Sequence, residues 1–124
     1  MSQLEVIARL KVRPGQFEGC RDQVGELLRL TREKDTHTLR YDWFLNGDKT
    51  EWEVHEAYPN EEGLLEHNEH ITEARNILFR DYAYDHRMTV FGPISSHLTE
   101  LFDRHAGGVG KFSLIQGING TATV

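Results

Sequence analysis

His67 is the side chain best placed for chemistry in this 124-residue sequence. At helical spacing it shares a stripe with Leu64, Ile71 and Ala74, so it faces inward from its helix. A neutral imidazole there can accept a proton from a bound hydroxyl near neutral pH, as a general base does. The same placement suits a core histidine hydrogen-bonded to a backbone group or to Glu56. Glu56 shares a strand face with Trp52, Val54 and Tyr58, and a carboxylate among apolar neighbours needs a partner. It can orient His67, hold a substrate hydroxyl, or form a buried ion pair with Arg9 or Arg40. Tyr41, Trp43, Trp52 and Tyr58 can wall a pocket for a flat substrate, with two hydroxyls as anchors, or can serve as core or interface.

Other chemistries find less support. His67 and His70 are three apart, but the spacing is not His-Glu-x-x-His, and His70 is out of phase with the apolar stripe. No metal site is expected. The run Gly107-Gly-Val-Gly-Lys111 fails as a phosphate loop, because His105 stands where the first glycine should be, Phe112 follows the lysine and an extended segment replaces the helix. There is no Gly-x-Ser-x-Gly elbow. The one cysteine, Cys20, sits on an apolar helical stripe and has no disulfide partner within the chain.

The elements that must position these groups are legible from periodicity. Leu4–Val12 alternates as a first strand and ends at Pro14-Gly15. Gln16 to about Glu33 carries Phe17, Cys20, Val24, Leu27, Leu28 and Thr31 at helical spacing. Thr38–Leu45 and Glu51–Tyr58 alternate on either side of Asn46-Gly47-Asp48, a hairpin signal. Asn60 caps a second helix that extends toward Tyr84, with a break expected near Asn68. Met88–Phe91 is a fourth strand, and Ser95 or Ser96 caps a short helix with Leu98, Leu101 and Phe102. A glycine joint then leads to an extended segment, Lys111–Ile118.

The order β-α-β-β-α-β is the ferredoxin-like arrangement, an α+β fold with both long helices on one face of an antiparallel sheet. One domain over 1–118 is expected, with an extension from about residue 94 and a loose tail over 119–124. Apolar residues at 38% and charged residues at 27% suit a globular chain. The net charge of −6 argues against nucleic acid and against an anionic membrane surface. No apolar run approaches the roughly 20 residues that cross a bilayer. No secretory signal is visible, so a reducing, cytoplasmic setting is the simplest reading. Large groups on both faces of strands two and three, Tyr41 and Trp43 against Phe44, favour a homodimer paired sheet to sheet. In that dimer the last strand can reach across to the partner's edge; in a monomer it folds back on its own sheet.

From Thr31 to Ile71 the chain resembles the antibiotic-biosynthesis monooxygenase family. The features are Thr31-Arg32-Glu33 at a helix end, Leu39-Arg40-Tyr41-Asp42 in strand two, Glu56-x-Tyr58 closing strand three, and Leu64-Leu65-x-His67 in the following helix. With strand one and Pro14-Gly15 the likeness spans roughly residues 4 to 93, and the chain departs from it beyond 93. The resemblance implies a dimeric α/β barrel, a small oxygenase that often needs no metal or flavin, and phenol or quinol substrates. No cofactor is therefore expected. It supports His67 as base or anchor, with Glu56 as its orienter. A related branch that degrades haem uses an Asn, a Trp and a His; strand one here has no Asn between Leu4 and Val12. A non-catalytic ligand-binding dimer and an oxygen-independent isomerase or cyclase are the competing readings.

Overall fold

The computed structural model describes residues 3–105, 109–118 and 120–121. The elements in chain order are β1 (Leu4–Val12), α1 (Phe17–Lys34), β2 (Arg40–Leu45), β3 (Glu51–Tyr58), α2 (Glu61–Ile77), a π-helical turn (Leu78–Tyr82), β4 (Ala83–Phe91), α3 (Ser96–His105), β5 (Val109–Phe112), and the short β6 (Gln116–Gly117) and β7 (Gly120–Thr121). This is the expected ferredoxin-like α+β fold. The main sheet runs β2-β3-β1-β4-β5, antiparallel except for the β4–β5 pair, which is parallel.

Alternation in β1 puts Leu4, Val6, Ala8, Leu10 and Val12 on one buried face. The register carries that face sideways: Val6 lies opposite Glu56, which lies opposite Tyr41, and Ala8 lies opposite Val54, which lies opposite Trp43. All three main helices cover this face. Cys20, Val24 and Leu27 of α1 and Ile71 and Ala74 of α2 close one part of the core. Leu64 of α2 and Leu98 and Phe102 of α3 close the other over Leu4, Val6, Tyr58 and Val90.

Local chemistry fixes the helix starts. The Asn60 side chain accepts from the Gly63 N–H at 3.0 Å and caps α2. Ser95 Oγ accepts from the Leu98 N–H at 3.2 Å. Ser95 also donates its N–H and hydroxyl to the two Glu61 carboxylate oxygens, both at 2.7 Å, which docks the start of α3 onto the start of α2. At Gly92, where φ is +120°, a Cβ would lie 2.8 Å from the Gln3 carbonyl oxygen, so only glycine closes β4 there.

Four sequence expectations change. No break occurs at Asn68: the helix runs to Ile77, the Thr72 hydroxyl bonds the Asn68 carbonyl, and a π turn replaces the last α turns. β4 starts at Ala83, not Met88. Its first half was hidden because a register shift opposite Arg9–Lys11, with Asp85 at φ 54°, interrupts the alternation. The final extended segment begins at Val109 and ends at Phe112, and it pairs in parallel with β4 of its own chain. Within 119–124, expected as a loose tail, Gly120–Thr121 pair with Gln116–Gly117; residues 119 and 122–124 lie outside the described residues, as do residues 106–108 of the glycine joint.

Among the described residues no helix covers the opposite sheet face. Phe44, Phe91 and Phe112 lie on it and are 48%, 38% and 58% exposed. Phe91 and Phe112 stack with ring centroids 5.5 Å apart.

Candidate functional site

α2 lays its inward stripe over the β1–β2–β3 floor, and α3 shuts one side. A cavity remains between them with about 60 Å³ open to water-sized spheres, room for several waters. His67, Glu56, Tyr41 and Trp43 all line it. Trp52 and Tyr58, expected as pocket walls, do not border it. Trp52 packs edge-on to Trp43 in the core at 5.6 Å between ring centroids, and Tyr58 is fully buried behind the wall.

His67 is 2% exposed. Tyr41 meets it edge-on at 4.4 Å between ring centroids, and Tyr58 lies tilted at 5.5 Å. Its Nδ1 is 2.7 Å from Oδ2 of Asp35, whose side chain is 2% exposed. The other Asp35 oxygen, Oδ1, is 2.6 Å from Nδ1 of His70, and the Thr38 hydroxyl donates to Oδ2 at 2.6 Å. Burial alone would raise the Asp35 carboxyl, but hydrogen bonds from His67, His70 and Thr38 outweigh it and hold the pKa down to about 2. Asp35 is thus an ionised acceptor at neutral pH. It receives the Nδ1–H of His67, and the tautomer that this contact favours carries its lone pair on Nε2. That Nε2 is buried and has no partner among the described residues.

The contact that orients His67 therefore comes from Asp35, not from Glu56 as the sequence suggested. Glu56 instead accepts from the Tyr58 hydroxyl at 2.5 Å. Neither Arg9 nor Arg40 reaches it; they pair with Glu53 and Asp42 on the helix-free face. Burial pushes the Glu56 carboxyl above its ordinary value, and His67, the Tyr58 hydroxyl and Arg75 offset only part of that. Burial and the nearby Glu56 raise both the Tyr41 and the Tyr58 hydroxyls well above the ordinary tyrosine value.

Sequence reasoning passed over Asp35, Asn68, Arg75 and the α3 wall. Asp35 closes α1 as its C-cap, where an acidic residue reads as surface. Arg75, one residue beyond the buried Ala74, reads as the basic end of α2, yet its guanidinium folds back along the helix and donates from Nη1 to the Asn68 side-chain oxygen. Leu98, Leu101 and Phe102 of α3 line the cavity, a wall signalled only by their i, i+3, i+4 spacing. Among the described residues, no group of three or more His, Cys, Asp or Glu side chains is arranged to hold a metal ion, and no helix is long and apolar enough to cross a membrane.

The arrangement can move protons. An ionised carboxylate fixes the tautomer of a buried imidazole, the imidazole offers a basic nitrogen, and a second carboxyl, whose pKa burial raises, stands on the same cavity.

Comparisons with known proteins agree on the fold. MupZ from Pseudomonas fluorescens superimposes with a TM-score of 0.76 over 100% of this chain and 99% of its own, at 22% identity. Rv0793 from Mycobacterium tuberculosis gives 0.64 at 26% identity, over 77% of this chain and 98% of its own. A structure described as antibiotic biosynthesis monooxygenase gives 0.64 at 22% identity, over 74% and 99%. The last two match about three quarters of the chain, while MupZ spans all of it, the C-terminal segment included. No curated protein matches the sequence significantly. The family model for antibiotic biosynthesis monooxygenase matches residues 4–75, more than half of the sequence and the stretch that holds Asp35, Tyr41, Trp43, Glu56 and His67, and the chain therefore belongs to the antibiotic biosynthesis monooxygenase family.

Proposed function

We propose that this protein is a cofactor-independent monooxygenase acting on a small phenol or quinol bound in the cavity beside His67. One observation carries the reading: a buried histidine, tied through Nδ1 to the Asp35 carboxylate, leaves an unpartnered Nε2 on the ring that lines the cavity. Nε2 takes the hydroxyl proton of the substrate, and Asp35 stabilises the imidazolium that forms. The phenolate transfers one electron to dioxygen, the radical pair closes a C–O bond, and loss of water from the peroxide leaves a carbonyl. One oxygen atom enters the product and the other leaves as water; the substrate supplies both electrons. Tyr41 and Trp43 wall the ring, and Glu56 returns a proton to the departing oxygen.

A homodimer paired through the helix-free sheet face completes the proposal. The exposed Phe44, Phe91 and Phe112 support it, because isolated aromatic side chains on a strand face gain by mutual burial.

A second reading has its own support. A basic imidazole and a raised carboxyl on one cavity also suit an oxygen-independent isomerase or cyclase, which needs a base and an acid and no oxidant. Oxygen consumption separates the two. With a panel of phenols and hydroquinones, the oxygenase reading expects equimolar uptake of oxygen and loss of substrate, both stopping in anaerobic buffer. Product formed at an undiminished rate without oxygen overturns it in favour of the isomerase. Ligand-dependent stabilisation with no product in either condition leaves a binding module.

A further inference from the structure

The same cavity contains a cation that the proton chemistry does not use. Arg75 lies eight residues after His67 on α2, about 12 Å along the axis by helix geometry. Its side chain bends back toward the helix N-terminus, where Nη1 donates to Asn68, the residue next to His67. Arg75 and His67 both line the cavity. Nη2 of Arg75 is buried without a hydrogen-bond partner among the described residues. Among the described residues no carboxylate forms an ion pair with Arg75. The two carboxylates that could answer it are otherwise engaged, Asp35 by two histidines and Thr38, and Glu56 by the Tyr58 hydroxyl. This largely buried guanidinium has one neutral amide as its hydrogen-bond partner and feels Glu56 only through space, since that carboxyl is bonded to Tyr58, so an anion that hydrogen-bonds Nη2 would stabilise it. The other orphaned atoms on the cavity-lining residues are His67 Nε2 and the indole N–H of Trp43, which can only donate.

We propose that the natural ligand is an organic acid with an apolar body, whose carboxylate is bound by Arg75 Nη2 while His67 Nε2 addresses a hydroxyl on the same molecule. This rests on the reading of the cavity as a ligand site and adds its charge. The planar guanidinium fork matches a carboxylate. Asn68 holds the fork in place. The apolar body lies against Met88, Leu101 and Phe102, all apolar side chains of the lining. A neutral phenol would satisfy His67 and leave Arg75 as it stands.

Matched probes test this on the full chain without turnover: benzoate, salicylate and 1-naphthoate against their primary amides, followed by tryptophan fluorescence and thermal shift at low salt. In the wild type at least one carboxylate binds about tenfold or more tighter than its amide, the scale of a charge-assisted hydrogen bond. In Arg75→Gln that preference falls to within about twofold while amide binding persists, and Arg75→Lys retains part of it. Equal binding of acids and amides by the wild type, no binding of any acid, or a preference that survives in Arg75→Gln overturns the proposal. The wild-type ratio decides the matter even if Arg75→Gln folds poorly. A preference for acids with no oxygen uptake by any substrate would count against the oxygenase reading and leave this one standing; oxygen uptake on neutral quinols with no such preference would do the reverse.

Discussion

Asp35 carries more of the site than any residue chosen from the sequence. It lies at the end of α1, 32 residues before His67, and meets it only because α1 and α2 run side by side over the sheet. No pattern within one element could reveal that meeting. The signal that was present, His67 and His70 at i, i+3, points to a shared polar partner, and the partner is one carboxylate bridging both rings. Its depressed pKa has a consequence for stability. The contribution is fully present above the ordinary aspartate value near 3.8 and is lost as pH falls toward about 2, where the folded carboxyl finally takes a proton. That difference corresponds to about 2 kcal/mol. Urea melts should therefore show the wild type losing about that much between pH 4 and pH 2, and Asp35→Asn, already about 2–4 kcal/mol less stable at pH 7, losing less over the same interval. Equal acid sensitivity in both would deny the bridge. Glu56 should behave in the opposite way. Because burial already disfavours its charge, Glu56→Gln keeps an acceptor for the Tyr58 hydroxyl and should melt within about 1 kcal/mol of the wild type. If Glu56 returns a proton in the reaction, turnover in that variant should nonetheless fall about 100-fold.

At the scale of elements, alternation and helical spacing located β1, β2, β3 and α1 almost to the residue, since each has one apolar face turned to a common core. The misjudged places are those where the backbone leaves its regular period. The shift opposite Arg9–Lys11 broke the pattern of β4, and the π turn at Leu78–Tyr82 ended α2 without a sequence stop. The short third helix was foreseen, but its role was not: periodicity reports that Leu98, Leu101 and Phe102 face inward and says nothing of a cavity behind them. This wall lies outside the matched family stretch of residues 4–75. Phe102→Ala should cost about 3 kcal/mol in denaturant unfolding, as expected when a core aromatic ring leaves a void. It should also widen the cavity, so that bulkier members of the carboxylate series gain affinity relative to smaller ones. A loss of affinity uniform across the series would mean that α3 supports the fold without shaping the ligand.

At the scale of the whole molecule, the sheet divides the labour. One face, roofed by three helices, builds the cavity; the other presents Phe44, Phe91 and Phe112 to solvent. Light scattering should give about twice the 14.3 kDa chain mass, and Phe44→Glu should lower it, because a charge at the centre of a paired face is left unsatisfied. A wild-type mass of one chain would remove the paired-sheet proposal and leave the cavity untouched. The cavity stands or falls with His67. The most direct test is the turnover of His67→Ala measured beside its melting curve, on whichever phenol or quinol the wild type oxidises. With the fold retained, we expect the rate to drop about 100-fold or more, the usual share of a positioned general base. A His67→Ala protein that melts cooperatively and turns over at the wild-type rate would contradict the account.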